Sequence, residues 1–190
     1  RRYAADGIRL SMAKLRLHEL NRLDAEGFRA APKTPVVVVL DQVRSLHNVG
    51  SVFRTSDAFR LEGIHLCGLT AHPPHPEMEK TALGATEVVD WTPFPTAADS
   101  IRALQARGYR VFAVEQATNR TWLHRWSWPA NAPGVAVVFG HEVRGVSEEA
   151  MALCDGVIEI PQLGTKHSLN VSVSAGIVLW EMLKQREELP

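Results

Sequence analysis

Glycine and charged residues come together directly after a strand-like run that ends near residue 40. The segment there is HNVGSVFR, which supplies Asn48, Gly50 and Arg54. Asn48 suits the N-cap of a helix, and on that helix Gly50 and Arg54 would share one side because they are four residues apart. The glycine leaves room for a ligand or for another backbone, and the arginine directs a positive charge at the same place. A surface ion pair between Arg54 and Asp57 is the alternative that this spacing also allows.

A second segment combines glycines with a carboxylate. It reads VVFGHEVRGVSEE, in which Gly140 ends a strand-like run and permits a ligand to approach the backbone. Glu142 follows two residues later, where packing gives little reason for an acid, and Gly145 allows the turn into a capped helix. Neither GxxxxGK[ST] nor GxGxxG occurs in the chain, so this is not a phosphate-binding loop. An acid in the loop suits a cationic ligand better than a polyphosphate.

The third segment leads into the last predicted helix. It reads IEIPQLGTKHSLNVSVSAG, and Ser168 and Asn170 fall in the first turn of that helix. Polar side chains and free N–H groups at such a turn point at whatever occupies the cleft. Capping alone would explain Ser168, but it would not explain the whole loop.

The elements that must position these segments alternate between strands and helices. Hydrophobic patterns predict strands at 36–40, 64–67, 86–90, 110–115, 135–139 and 157–160. They predict helices at 8–23, 48–60, 97–107, 147–154 and 168–186, and a proline-rich loop that leads into a further short helix. This alternation predicts an α/β fold with a mainly parallel sheet covered on both faces. Ligands of such sheets bind beyond the carboxyl ends of the strands, so the loops after Leu40, Glu115, Phe139 and Ile160 should carry the function.

Composition excludes several classes of protein. The 190 residues have no formal net charge, which argues against a generic nucleic-acid coat. A basic surface is still possible near the start, because residues 1–33 hold eight Lys or Arg against four acids. This excess could touch phosphates or belong to a solvated amphipathic helix. No apolar run approaches the roughly 20 residues that span a bilayer, so the sequence predicts no membrane partner and a cytoplasmic protein.

Two further groups of residues have side chains that could bind a ligand. No metal is predicted: His72, His75 and Glu77 lie in a stiff proline-rich loop with no further ligand pattern, and the two cysteines lack metal or disulfide spacing. The segment TWLHRWSWP places tryptophans beside arginine, an arrangement that could stack unpaired bases. A packed loop at the sheet edge is the favoured alternative.

Taken together, the three segments resemble a known family. NVGSVFRTSDAF, FGHEVRGVSEEA and IPQLGTKHSLNVSVSAG are similar to the three motifs of the TrmH-type tRNA/rRNA ribose 2′-O-methyltransferases, in the SPOUT class of RNA methylases. The resemblance runs from about Val36 to Trp180, with the motifs in the family's order. It implies a SPOUT fold whose C-terminal part forms a deep trefoil knot, an exception to unknotted topology. The domains would then be an N-terminal helical extension at 1–34 and a methyltransferase domain at 35–190.

The resemblance also implies a cofactor and partners. The cofactor would be S-adenosylmethionine, and the residues lining its site would be Val114, Gly140, Ile160 and Leu169, with Ser168 beside it. The partners would be an RNA substrate and a second copy of the chain. In such a homodimer the knot region and the last helix would lie at the interface, and the active site would be completed across the two chains. We favour tRNA over rRNA as substrate because the chain is compact and its predicted N-terminal helix is basic.

The same resemblance assigns catalytic roles. Arg54 would lie at the catalytic centre, Asn48 would help to shape it, and Glu142 would orient Arg54, Asn48 or the cationic end of the cofactor. Ser168 and Asn170 would bind the cofactor or fix the knot. Because a guanidinium stays protonated, Arg54 is better suited to stabilise a developing alkoxide or hold a phosphate than to act as a base. A phosphate oxygen or a water would then take the proton.

Other functions remain open on the sequence. Within the class, the chain could methylate a base nitrogen, although Arg54 and the SLNVS motif favour the ribose-modifying branch. From another class, it could be an RNA-binding or ribosome-assembly factor with a vestigial methylase site. An ordinary nucleotide-binding domain is disfavoured because the phosphate loops are missing.

Overall fold

The structure is a computed structural model that describes residues 13–186. It consists of two compact units, one ending at Ala31 and the other beginning at Pro32. In the first unit, the described residues form a 3₁₀ turn, Leu17–Leu20, and a short helix α1, Ala25–Ala30. The helix predicted at 8–23 is therefore wrong over 13–23, and its first residues lie outside the described part. Asn21 has a left-handed φ of 47° that ends the turn, and the Asp24 side chain caps a new helix by accepting the Gly27 N–H.

The second unit alternates between strands and helices, as the sequence predicts. Its strands are β1 Thr34–Asp41, β2 Leu61–Cys67, β3 Trp91–Phe94, β4 Arg110–Val114, β5 Thr121–Trp122, β6 Val135–Gly140 and β7 Gly156–Glu159. Its helices are α2 Leu46–Ala58, α3 Pro76–Ala82, α4 Ala97–Ala106, α5 Glu148–Leu153 and α6 Val171–Gln185. None of the helices in the described part of the chain is both long and apolar enough to cross a membrane.

The strands form one seven-stranded parallel sheet in the order β3-β2-β1-β6-β4-β7-β5. β1 lies inside the sheet, where Val38 pairs with Ile64 on one side and Val137 on the other. Val37 and Val39 pack in a core cluster with Ile101 of α4. Val38, between them, is equally buried and points to the opposite face. Because α2 and α6 contact the sheet besides α4, the prediction of a parallel sheet covered by helices is confirmed.

The prediction of a strand at 86–90 is wrong. Residues Ala85–Glu87 form a 3₁₀ turn, and the strand begins only at Trp91. The turn is held because the Thr86 hydroxyl donates to Glu79 (2.5 Å) and the Val89 N–H donates to the Ala85 carbonyl. These contacts take the chain out of the extended conformation that the apolar residues favour locally.

The last strand of the chain has an unusual place in the sheet. β7 pairs with β4 on one side and with β5 on the other, although β4 and β5 follow each other in sequence. The late strand is thus inserted between two earlier ones. Because all seven strands are parallel, the carboxyl ends of β1, β4, β6 and β7 lie along one edge of the sheet.

Gly50 is explained by the neighbouring helix. A Cβ at this position of α2 would overlap the Met78 carbonyl oxygen and the Thr81 hydroxyl of α3. The Thr81 hydroxyl also donates to the His47 carbonyl, which ties the two helices together (3.0 Å). The missing side chain therefore admits the backbone of α3, which is the second of the two alternatives, a ligand or another backbone, that the sequence left open.

We expect Gly50→Ala to lower the free energy of unfolding by about 1–3 kcal/mol, because α3 must move away from α2. Urea titration followed by circular dichroism measures this change. The matched control is Gly164→Ala, since a Cβ at Gly164 meets no atom within 4 Å. Equal stability of the two variants would contradict the close packing of α2 on α3.

Candidate functional site

A cavity of about 310 Å³ lies at the carboxyl ends of β4, β6 and β7. Its lining includes all of the residues predicted to hold a cofactor, which are Val114, Gly140, Ile160, Ser168 and Leu169. Val114 and Gly140 are the last residues of β4 and β6, and the other three follow β7, as expected for a site at the carboxyl ends of a parallel sheet. The volume is at the lower end of the roughly 300–1,000 Å³ that small-molecule pockets enclose.

Glu142 connects the cavity to the loop after β1. Its Oε1 accepts the Ser45 N–H (3.0 Å) and the Asn48 side-chain amide (3.1 Å), and its Oε2 accepts the Arg44 N–H (3.3 Å). The carboxylate is thus held by two backbone amides and one side chain from another segment. These three hydrogen bonds account for the presence of an acid at position 142, which core packing does not explain.

Asn48 continues the connection to the last helix. Its Oδ1 accepts a hydrogen bond from the Asn170 side-chain amide (3.1 Å), so Glu142, Asn48 and Asn170 form one chain of contacts. The three sequence motifs therefore meet in space. Two local predictions are corrected: Ser45, not Asn48, is the N-cap of α2, and Asn170 is itself the N-cap of α6, whose first residue is Val171. Ser168 precedes that helix in the loop.

The hydrogen bonds to Glu142 favour its charged form. Partial burial is the largest single influence and raises the pKa of this carboxyl. The N–H groups of Ser45, Glu142 itself and Arg44, with the Asn48 amide, together outweigh it and hold the pKa below its ordinary value. Glu142 is therefore a fixed negative charge at the cavity.

Arg54 does not join this group. It is exposed on α2 and is absent from the lining of the cavity. Within residues 13–186 it makes no ion pair, so the alternative pair with Asp57 does not form. The guanidinium is left available to a group outside the described chain.

The loop between β6 and α5 is held by side chains that the sequence analysis missed. Within the loop, the His141 Nδ1 accepts hydrogen bonds from the N–H groups of Val143 and Arg144. From other segments, the Glu115 carboxylate accepts the Val146 N–H (3.1 Å). The Asp41 carboxylate accepts the Ser147 N–H (2.8 Å). Glu115 and Asp41 end or follow strands, which is a signal for a site residue, but their partners are distant in sequence. These contacts fix one wall of the cavity.

Two glycines of that loop are needed for close packing. A Cβ at Gly140 would overlap the backbone of Gly145 and Val146, so the missing side chain admits this loop, while Gly140 itself lines the cavity. Gly145 has a φ of +70°, as the predicted turn requires, and a Cβ there would overlap the Glu115 carboxylate.

Thr70 holds the loop after β1 and was also missed. Its side chain is buried, its hydroxyl accepts the Val43 N–H (2.9 Å), and it donates to the Leu40 carbonyl (3.0 Å). A threonine after a strand gives no local signal of this role, because both partners are almost 30 residues away. The contacts set the path of the loop whose amides bind Glu142.

We expect Thr70→Val to lower the free energy of unfolding by about 1–3 kcal/mol, since two buried backbone groups lose their partner. Thr70→Ser keeps the hydroxyl and is the matched control. Chemical denaturation of both variants measures the difference. If Thr70→Val and Thr70→Ser are equally stable, the hydroxyl does not hold the loop.

The other groups considered for ligands are used in packing. The His75 ring caps α3 by accepting the Glu77 N–H, and His72 stacks on Trp91. No cluster of three or more metal-binding side chains occurs among residues 13–186. In the tryptophan segment, Trp126 is buried, Trp122 lies beneath the Arg120 guanidinium and Trp128 beneath that of Arg186. These contacts favour the packed loop over a platform for bases.

Comparison with known proteins gives a consistent result. The family described as "SpoU rRNA Methylase family" matches residues 35–180. The 23S rRNA (guanosine-2′-O-)-methyltransferase of Vibrio parahaemolyticus is 34% identical over 169 residues, which cover 88% of this chain and 66% of that protein. The tRNA (guanosine(18)-2′-O)-methyltransferase of Thermus thermophilus is 35% identical over 151 residues, 80% of this chain and 75% of that protein. The chain thus spans just under two thirds of the length of the Vibrio relative.

A solved structure shares the fold. The AdoMet-bound rRNA methyltransferase from Sinorhizobium meliloti superposes with a TM-score of 0.74 at 27% sequence identity. The superposition covers 86% of this chain and 61% of that chain.

Proposed function

Because the chain belongs to the SpoU rRNA methylase family, we propose that it transfers a methyl group from S-adenosylmethionine to a ribose 2′-hydroxyl of structured RNA. The observation that carries the proposal is the meeting of the three sequence motifs at one cavity, through Glu142, Asn48 and Asn170. The relatives named above support the reaction and both classes of RNA.

The cavity fits this cofactor in its chemistry. Val114, Ile160 and Leu169 offer apolar contacts to an adenosine, while Ser168 and the backbone of the strand-end loops offer hydrogen bonds. The glutamates of the lining suit a ligand with a positive charge. When bound, the cofactor supplies a methyl group already activated by its sulfonium charge. The chain must then align the ribose hydroxyl with that methyl group.

The roles of the polar residues follow from their positions. Glu142 positions the loop after β1 by accepting hydrogen bonds from the backbone amides of that loop. Asn48 accepts a hydrogen bond from Asn170 and so connects this loop to the N-cap of α6. Arg54, free of partners in the described chain, is the residue that would stabilise the negative charge developing on the ribose oxygen or hold the adjacent phosphate. The proton passes to a phosphate oxygen or to water, because the guanidinium keeps its own proton.

We propose a homodimer for this activity. Four residues spaced along one side of the last helix and its entry loop are exposed although apolar: Leu169 (38%), Val173 (50%), Ile177 (38%) and Trp180 (52%). Such a stripe is typical of an interface. The stripe begins beside the cavity, where Leu169 is part of the lining. A second copy that binds to the stripe would help to complete the site, and Arg54 of one copy could then reach the cavity of the other.

We also propose that the C-terminal part of the second unit is threaded as a deep trefoil knot. Two observations support the threading. β7 is inserted between the consecutive strands β4 and β5, and the Gln116 side chain donates to the His167 carbonyl, joining the loop after β4 to the loop before α6. The domains at 1–34 and 35–190 and the cytoplasmic location stay predictions.

The substrate class that we propose is tRNA, with rRNA as the alternative. The Thermus relative is named as a tRNA methyltransferase, and the match covers 75% of that protein. The match covers 66% of the Vibrio rRNA methyltransferase. The excess of basic residues over residues 1–33 would contact the phosphates of the RNA.

The proposal is tested by methyl transfer. The purified protein is incubated with methyl-labelled S-adenosylmethionine and separate pools of unmodified tRNA and rRNA, and the products are digested to nucleosides. We expect label in a 2′-O-methyl nucleoside from the tRNA pool. Label in a base would move the activity to the base-modifying branch. Cofactor binding without transfer to either RNA would favour the vestigial RNA-binding factor.

A further inference from the structure

We propose that Glu115 makes the cavity select the positively charged methyl donor over its neutral product. The inference rests on the proposed function, and it assigns a task to a residue outside the motif positions. Transfer of the methyl group to the ribose oxygen forms an O–CH₃ bond and breaks the S–CH₃ bond. The sulfur regains its lone pair, so S-adenosylhomocysteine has one positive charge less than the donor. A negative charge in the cavity therefore distinguishes donor from product.

The charges around the cavity are unequal. Its lining contains Glu115, Glu142 and Glu159, and within the described residues it contains neither lysine nor arginine. Glu159 is paired with the Arg120 guanidinium (2.7 Å), which offsets its charge. Glu115 and Glu142 accept hydrogen bonds but form no ion pair with a cationic side chain among residues 13–186. The cavity therefore has an excess of negative charge.

The small size of the cavity brings any ligand close to these carboxylates. Glu115 lines the cavity, and charges up to about 8 Å apart lie within one Debye length at physiological salt. A sulfonium charge anywhere in the cavity is therefore attracted by Glu115, and the neutral thioether is not.

Glu115 is held in place more firmly than an ordinary surface acid. Its Oε1 accepts the Gln116 N–H (2.9 Å), its Oε2 accepts the Val146 N–H (3.1 Å), and the backbone of Gly145 packs against the carboxylate. The side chain thus joins the loop after β4 to the loop after β6. Two effects follow: the carboxyl group positions a wall of the cavity, and its charge attracts the cation.

Two variants separate these effects. Glu115→Gln keeps an oxygen that can accept the Val146 N–H but removes the charge, whereas Glu115→Ala removes both. Glu148→Gln is the matched control, because Glu148 is exposed on α5 and does not line the cavity. Calorimetric titration of each full-length variant with S-adenosylmethionine and with S-adenosylhomocysteine gives both affinities.

We expect Glu115→Gln to weaken binding of the donor about three- to tenfold, as the loss of one charge in a solvent-exposed cavity implies, and to leave binding of the product unchanged. Glu115→Ala should weaken the binding of both donor and product. In this variant residues 141–147 should also exchange their amide hydrogens faster than in the wild type. Glu148→Gln should resemble the wild type.

Two results would overturn the inference: equal losses for donor and product in Glu115→Gln, or no loss in either. These results differ from a failure of the proposed function, in which the wild-type protein would bind neither ligand. The wild-type titration therefore separates the two cases before any variant is compared.

Discussion

Replacing Arg54 by alanine is expected to lower kcat for methyl transfer about 10²- to 10³-fold, the usual effect of removing a group that stabilises charge in the transition state. The affinity for S-adenosylmethionine should not change, because Arg54 is exposed and does not line the cavity. Single-turnover transfer of labelled methyl to RNA measures the first quantity, and calorimetry measures the second. A loss in kcat alone is the signature of an interaction made in the transition state.

Arg54→Lys provides the matched comparison. It keeps the positive charge but loses the planar fork that can hold two oxygens at once, so its kcat should fall between those of the wild type and the alanine variant. Arg102→Ala removes an exposed arginine whose partners are on the surface, and it should leave kcat unchanged. If Arg54→Ala keeps activity within about threefold of the wild type, a residue other than Arg54 stabilises the charge in the transition state.

The elements of the sheet could be predicted because their patterns are local. The run of valines in β1 and the periodic apolar residues of α4 indicate a strand and a helix without knowledge of their neighbours. The insertion of β7 between β4 and β5 has no such pattern, since strand order depends on contacts between distant segments. The false strand at 86–90 has the same cause, because the contact of Thr86 with Glu79 overrides a favourable local sequence.

The candidate site could be predicted in part for a related reason. Glu142 was found because an acid at the end of a buried strand needs an explanation that packing does not give. Thr70 and Glu115 were missed because their importance depends on Val43 and Val146, which are distant in sequence and which only the fold brings close. Gly50 was singled out correctly, but the sequence could not tell a ligand from the backbone of α3.

Glu142→Ala is expected to have the second large effect. The change removes the acceptor of two backbone amides and of the Asn48 side chain, so the loop after β1 loses its link to the cavity. Misplacement of reacting groups by about 1 Å can lower a rate 10²-fold, and we expect a loss of this order in kcat/KM. The assay is the same transfer of labelled methyl to RNA.

Glu142→Gln is the informative comparison. Its carbonyl oxygen can replace Oε1 and keep the bonds from Ser45 and Asn48, while its amide opposes only the longer contact with the Arg44 N–H. The glutamine variant should therefore retain more activity than the alanine variant. Equal losses would show that the charge of Glu142 matters more than its hydrogen bonds.

The same residue predicts how stability depends on pH. The folded-state pKa of Glu142 lies below the ordinary value of 4.5, since its hydrogen bonds outweigh the opposing effect of partial burial. The folded protein therefore binds this proton less readily than the unfolded chain, and stability is lost as the pH falls through the folded-state pKa. Above 4.5 the contribution is fully present, so urea midpoints of the wild type and Glu142→Gln should differ most at pH 7. Because a protonated glutamic acid resembles glutamine, the two urea midpoints should converge as the pH falls below 4.5. A constant difference between the midpoints at every pH would show that the side chain's shape, and not its charge, causes the difference in stability.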